Sequence, residues 1–154
     1  MEGVIPDREE EKARVEILLE ELRFPSGFLT RDVNLGFSGG EIKKSEVLQV
    51  LAQDPELLIL DEPDSGVDVE NLQVIGTVLN RTLKGRSALI ITHIGYILHY
   101  VDADMAHVLI DGTVVCTGDP LKILGQILKE GYGWCEKCPK VRSLRCEVGP
   151  RAET

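Results

Sequence analysis

No stretch of this chain approaches the ~20 apolar residues that a membrane-crossing helix requires, so membrane insertion is not expected. A basic surplus is missing too. Lys and Arg number 17 against 26 Asp and Glu, a net charge of −9, and phosphate-rich nucleic acid is an unsuitable partner for such a surface. The start, Met1-Glu2-Gly3, leans acidic and lacks the basic-then-apolar pattern of a secretory leader, so the cytoplasm is the expected location. Cysteine is sparse, with four residues, one inside an apolar strand pattern and three near the C-terminal end, which suits a reducing compartment. The most consequential absence is a dipeptide. Gly-Lys occurs nowhere, so the chain has no Gly-x-x-x-x-Gly-Lys-[Ser/Thr] loop, whose backbone N–H groups cradle phosphates.

What is present is enough for one soluble domain. The chain has 154 residues, 43% hydrophobic and 28% charged. A domain of that size buries roughly two-thirds of its unfolded surface. Early acidity (Glu9-Glu10-Glu11, Glu16, Glu20-Glu21) reads as the solvated face of a helix. That helix is expected from Asp7, as cap, to Leu22, with Ala13, Ile17, Leu18 and Leu22 as its apolar stripe. A second helix is expected after Ser38-Gly39-Gly40, sending Val47, Leu48, Val50 and Leu51 into the core and ending at Asp54-Pro55.

Leu57 to Leu60 is a continuous apolar run, the pattern of a strand buried on both faces. Val69 to Leu83 carries Leu72, Ile75, Val78, Leu79 and Leu83 at helical spacing, and Ala88 to Ile91 is a second apolar run. Strand, helix and strand in that order make a βαβ unit with a parallel pair. Ligands in such sheets bind beyond the carboxyl ends of the strands, where Asp61-Glu62 and Thr92-His93 fall. Ala106 to Ile110 and Thr113 to Thr117 flank Asp111-Gly112, a strong hairpin signal, and a last helix is expected from Asp119-Pro120 to Glu130. The expected class is therefore α/β, with a helical segment before a parallel βαβ core and a C-terminal hairpin and helix. Residues 1–134 are expected to form the domain, and residues 135–154 a Cys-rich basic tail.

Each candidate site residue has a bland reading beside a chemical one. Asp61-Glu62 alone could be a strand-end turn with two solvated acids. Pro63, Asp64, Ser65-Gly66 and Asp68 follow in register, and that favours a ligand site. A hard Mg²⁺ takes oxygen donors and keeps waters, so one carboxylate such as Asp61 can suffice beside phosphates. Glu62 points another way and can polarise a water. Ser38-Gly39-Gly40 places N–H groups and a hydroxyl at a helix N-terminus, where an anion is favoured. His93, after Ile90-Ile91-Thr92, can reach a γ-phosphate with an imidazole N–H. His99 and His107 lack such placement and read as structural. Cys135-x-x-Cys138 with Cys146 can ligate Zn²⁺ or an iron–sulfur cluster, but no fourth ligand is evident, and a loose tail of free thiols is the favoured reading.

The order and spacing of Phe37-Ser38-Gly39-Gly40-Glu41, Leu57 to Glu62, Ser65-Gly66-Val67-Asp68 and His93 resemble the second half of an ATP-binding-cassette (ABC) ATPase of the P-loop NTPase fold. Lys43-Lys44, Glu46, Leu48-Gln49, Asp64-Ser65-Gly66 and Gly131-Tyr132-Gly133-Trp134 narrow the likeness to the Suf-type iron–sulfur assembly ATPases, from about Glu9 to Trp134. Ile42 and Ser45 depart from a lysine and an asparagine common in that family.

The resemblance implies ATP and Mg²⁺ as ligands, two head-to-tail subunits, and a Suf-type scaffold protein as partner. Ser38, Gly39 and Gly40, the signature motif, would face the γ-phosphate held by the opposite subunit. Asp61 of the Walker B strand would hold Mg²⁺, and Glu62 would activate water. Asp68 would link the two sites, and His93 would contact the γ-phosphate. It implies equally that the phosphate loop (Walker A), the adenine platform and the glutamine loop come from elsewhere, either a partner chain carrying that half or a homo-oligomer. The central sheet would then lack strands that normally flank it, and a bare edge favours pairing with another chain. The competing readings are a non-catalytic module that binds the scaffold or a full-length ATPase, and a metal-binding tail on a relic fold.

Overall fold

A computed structural model describes residues 8–25, 27–30, 32 and 35–137. The chain packs as two compact units, the first reaching Val101 and the second starting at Asp102. The first contains α1 (Arg8–Glu21), α2 (Gly39–Ala52), β1 (Leu57–Asp61), α3 (Val69–Thr82) and β2 (Ser87–Ile91), with short 3₁₀ turns at Phe28–Thr30 and Tyr96–His99. The second contains the hairpin strands β3 (Ala106–Ile110) and β4 (Thr113–Gly118), then α4 (Pro120–Glu130) and the short α5 (Gly133–Lys137). The cap expected at Asp7 lies outside the described residues. No helix among the described residues is long and apolar enough to cross a membrane.

The first core gathers Leu18 and Leu22 of the α1 segment, Val47, Leu48 and Leu51 of α2, Leu58 and Leu60 of β1, and Leu72, Ile75, Val78 and Leu79 of α3. The stripe of α1 is narrower than its sequence suggests. Ala13 is exposed and Ile17 is 53% exposed, because the buried face centres on Leu18 and Leu22, one turn apart. At the end of α2, Asp54 adopts a left-handed φ of +54° ahead of Pro55. Its carboxylate lies 2.5 Å from Arg86 and 3.6 Å from Arg14, tying the start of β1 to α1 and to the turn before β2.

β1 and β2 run parallel, with Leu57 beside Ser87, Ile59 beside Leu89 and Asp61 beside Ile91. The βαβ unit forms as its pattern indicates, but the strands are not covered on both faces. Leu58 and Leu60 are buried, whereas Leu57, Ile59, Leu89 and Ile91 are exposed by 58, 60, 52 and 49%. Among the described residues the sheet has two strands and only one covered face.

In the second unit, Asp111 and Gly112 take φ values of +47° and +73°, the pair of positive angles that a tight hairpin turn demands. Asp119 caps α4 by accepting from the Lys122 N–H at 2.9 Å, with Pro120 as the first helical residue. This unit has its own core of Val108, Cys116, Ile123 and Cys135, flanked by Ile127 and Trp134. Helix α5 carries Cys135, so the expected start of the tail falls within an ordered turn of helix. Cys138 and Cys146 lie outside the described residues.

Candidate functional site

Two clusters hold the candidate residues, both in the first unit. One is the turn into α2. Ser38 is its N-cap: the hydroxyl oxygen accepts from the Glu41 N–H at 3.2 Å, and the Glu41 carboxylate accepts from the Ser38 N–H at 2.8 Å. This reciprocal box fixes the entry angle of the helix. Gly39 and Gly40 occupy the first two helical positions, whose N–H groups have no acceptor inside a helix.

Gly39 is demanded by close packing on backbone, while Gly40 faces a side chain. A Cβ on Gly39 would sit 2.9 Å from the Gly66 carbonyl oxygen, and one on Gly40 would sit 2.6 Å from the Asn71 side-chain nitrogen. The Ser-Gly-Gly turn is thus held against the segment between β1 and α3. Asp68 caps α3 there, accepting from the Asn71 N–H at 2.8 Å and from its side-chain amide at 2.6 Å. The Asn71 backbone hydrogen bond, then its side-chain one, hold the Asp68 carboxyl below the usual carboxylate range. Asn71 is a residue that sequence reasoning missed; its place three positions after a capping Asp was the available signal.

The second cluster is at the carboxyl ends of β1 and β2. Asp61 closes β1 in register with Ile91, two residues before His93. Glu62 turns sharply: its φ is +47°, and its N–H donates to the Ile91 carbonyl at 2.8 Å. A left-handed φ is unfavourable by ~1–2 kcal/mol for a side chain with a Cβ. The backbone hydrogen bond to Ile91 helps to hold it. Asp61, Glu62 and His93 are all exposed.

The two strand ends are bridged by a pair the sequence did not reveal. Thr92 donates its hydroxyl to Asp64 at 2.7 Å and accepts from the Gly95 N–H at 2.9 Å. Asp64 is only 8% exposed. A buried carboxylate demands a donor, and Thr92 supplies it from the residue next to His93. The loop after β1 therefore touches both clusters, through Asp64 to the histidine turn and through Gly66 and Asp68 to the Ser-Gly-Gly turn.

Lys44, one turn beyond Gly40, is also nearly buried, at 6% exposure, with its ammonium 5.0 Å from the centre of the Phe24 ring. Burial lowers its pKa, against the opposing pull of Glu41 and Asp68. The Phe24, Phe28 and Phe37 rings stack beneath this turn. His107 pairs with Thr117 across the hairpin at 2.8 Å, as befits a structural residue.

The donor set suits Mg²⁺ at one carboxylate. Asp61 is exposed at a strand end, and no group of three or more His, Cys, Asp or Glu is arranged to hold a metal among the described residues. Cys135 is fully buried in the second unit's core, which also buries Cys116.

Comparison with other proteins fits this geometry. No family-level sequence model matches the chain. A protein of Escherichia coli K12 described as a probable ATP-dependent transporter, SufC, is 46% identical over 114 residues, covering 73% of this chain and 46% of its own length. The ycf16 protein of Cyanidium caldarium, described likewise, is 40% identical over 121 residues, covering 78% and 47%. A nucleotide-free ATP-binding cassette of an ABC transporter superposes with a TM-score of 0.62 at 27% identity, covering 92% of this chain and 52% of that one. The ADP conformation of MJ1267, an ATP-binding cassette of an ABC transporter, gives 0.61 at 28%, with the same coverages. Fold and sequence together define the chain as part of an ABC ATPase. Within that class it belongs with the SufC-like, Suf-type members, and its likeness is to one half of them. The chain spans about half the length of the curated relatives it matches.

Proposed function

We propose that this chain supplies the signature face and the catalytic carboxylates of an ATP-hydrolysing site of the iron–sulfur cluster assembly (Suf) type, completed by a partner that carries the phosphate loop. The observation that carries the reading is the register of β1 and β2. It brings Asp61, the left-handed Glu62 and the His93 turn to one end of a parallel pair, where α/β folds bind ligands. The roles follow from chemistry. Asp61 offers an oxygen ligand to Mg²⁺, which when bound would neutralise charge on the phosphates. Glu62 accepts a proton from the attacking water. His93 donates an imidazole N–H to a γ-phosphate oxygen. Ser38, Gly39 and Gly40 offer a hydroxyl and two N–H groups to the γ-phosphate held by the opposing subunit, in the field of the α2 N-terminus. Asp68, packed with Asn71 under that turn, relays its position to the β1 loop. A cytoplasmic location and a Suf-type scaffold as a further partner complete the proposal.

A second reading has the missing Gly-Lys dipeptide in its favour: a non-catalytic module that binds the scaffold or a full-length ATPase and regulates it. One assay separates them. Phosphate release from MgATP is measured for the chain alone, and for the chain mixed with the phosphate-loop segment of the E. coli relative. Wild type and Glu62→Gln are run in parallel. The catalytic reading expects no turnover alone, and turnover in the mixture that Glu62→Gln reduces by at least ~10²-fold, the lower range for a lost general base. A mixture that stays silent, or ignores Glu62, leaves the regulatory module. Turnover by the chain alone that Glu62→Gln abolishes would mean a complete site forms without a partner.

A further inference from the structure

Two carboxylates stand at the Ser-Gly-Gly turn, where an anion has to be admitted. Glu41 closes the capping box on Ser38, and Asp68 holds the Asn71 amide that faces Gly40. The N-terminus of a helix supplies about half a positive charge, which does not offset two negative ones. Lys44 is the cation that acts on both. It follows Gly40 by four positions and Glu41 by three, so the three residues are neighbours on the surface of α2. A helical side chain leans back towards the N-terminus, which directs the ammonium to the turn. Glu41 and Asp68 both favour its charge, and Arg23 opposes it.

Lys44 is badly placed for a residue that serves only the fold. It is nearly buried, yet among the described residues its ammonium makes no ion pair and no hydrogen bond. What it has is the face of Phe24. Phe24 stacks on Phe28 with ring centres 3.8 Å apart, Phe28 stacks on Phe37 at 4.9 Å, and Phe37 is bonded to Ser38. The three rings thus tie the support of the cation to the turn itself. Burying an ammonium forfeits its hydration, and a ring face returns only part of that loss. Burial is accordingly the strongest influence on the group, and it disfavours the charged form. A methionine would fill the same space without that loss and would suit the ring. A charge retained where it weakens the fold points to an anion that uses it.

Resting on the reading of Ser38, Gly39 and Gly40 as a phosphate-binding turn, we propose that Lys44 is the positioning residue that gives this turn its affinity for a phosphate-type anion. Lys44 acts through the field and not by contact. Its charge offsets Glu41 and Asp68. The Gly39 and Gly40 N–H groups and the Ser38 hydroxyl then meet a phosphate oxygen without net repulsion.

The test uses the full 154-residue chain with inorganic phosphate as the probe, and follows the amide signals of Gly39, Gly40 and Glu41 by NMR. Amide shifts report weak binding that a melting curve does not. Wild type is compared with Lys44→Met, Lys44→Arg and Lys84→Met. Lys84 is exposed beyond the far end of α3, so its loss makes the same change in net charge away from the turn. Lys44→Met is expected to weaken phosphate binding about tenfold, while Lys44→Arg and Lys84→Met leave it in place. The melting temperature of Lys44→Met without phosphate is expected to hold or rise, because an apolar side chain replaces a buried charge. Affinity and stability then part company, which the loss of a merely structural lysine would not produce. Equal affinity in wild type and Lys44→Met overturns the proposal and leaves the catalytic reading standing. Weakening by Lys44→Arg as large as that by Lys44→Met overturns it too, since charge is then not the cause. So does a melting temperature that Lys44→Met lowers and Lys44→Arg restores, which would assign the ammonium–ring contact to the fold. Wild-type amides that ignore phosphate remove the anion site, and with it both the proposal and the catalytic use of the turn. A Lys44-dependent phosphate site in a chain whose mixture with the phosphate-loop segment never hydrolyses MgATP upholds the proposal and sinks the catalytic reading.

Discussion

At the scale of single residues, the site is built from small groups in positions that leave little choice. Gly39 has no room for a Cβ against the Gly66 carbonyl, a Cβ on Gly40 would displace the Asn71 side chain, and Glu62 holds a φ that side chains avoid. Asp68 joins these constraints, since the same carboxylate caps α3 and holds the Asn71 amide that presses on Gly40. Its acidity has a consequence for pH. The folded carboxyl titrates below its ordinary value of 3.8, so its stabilisation is present at neutral pH and disappears as pH falls through the lowered folded value. Asp68 is open to solvent, which keeps the effect small. Asp68→Asn retains an acceptor for the Asn71 N–H and removes the titration. Thermal melts near neutrality and below pH 3.8 are expected to show wild type losing more of its Tm than Asp68→Asn. Parallel losses in the two proteins would show that the cap does not titrate differently in the fold.

Among the elements, helices and strands were legible because their periodicity is local. Val69 to Leu83 carried its apolar stripe in plain sight, and α3 runs from Val69 to Thr82 behind the Asp68 cap. The Asp111-Gly112 turn likewise placed β3 and β4. The candidate site was legible as motifs but not as a network, because its ties join residues far apart in sequence. The Thr92–Asp64 hydrogen bond spans 28 positions, and nothing in either segment announces the other. The one-sided exposure of β1 was hidden for a different reason. An apolar run looks the same whether its second face is covered by this chain or by another polypeptide. The bridge between β1 and β2 can be checked directly. Thr92→Val keeps the shape of the side chain and removes the hydroxyl that donates to the buried Asp64. A buried acceptor deprived of its partner is unfavourable by ~1–3 kcal/mol. Urea denaturation is expected to show a loss in that range, and Thr92→Ser, which keeps the donor, is expected to recover most of it. Equal losses in both variants would assign the effect to the missing methyl packing.

For the molecule as a whole, the proposed function separates the catalytic side chains from the phosphate-binding loop. The Ser-Gly-Gly turn, Asp61, Glu62 and His93 proposed for the site all fall within the first unit, while this sequence contains no Gly-Lys dipeptide. Exposed groups that each offer one or two hydrogen bonds do not hold a nucleotide in water, where every such bond competes with solvent. Ligand binding raises stability by RT ln(1 + [L]/Kd), so a weakly held ligand leaves the folded state unaided. The melting temperature of the isolated chain is therefore expected to be the same with and without millimolar MgATP. In the mixture with the phosphate-loop segment, the same concentration is expected to raise the transition by several degrees. A gain of ~2.7 kcal/mol follows from ligand at one hundred times Kd, and a domain of this size shifts by about 2–4 °C for each kcal/mol. A clear shift in the chain alone would locate a nucleotide site built without a phosphate loop. Its sensitivity to Glu62→Gln and to Gly39→Ala would then show which of the two clusters holds the ligand.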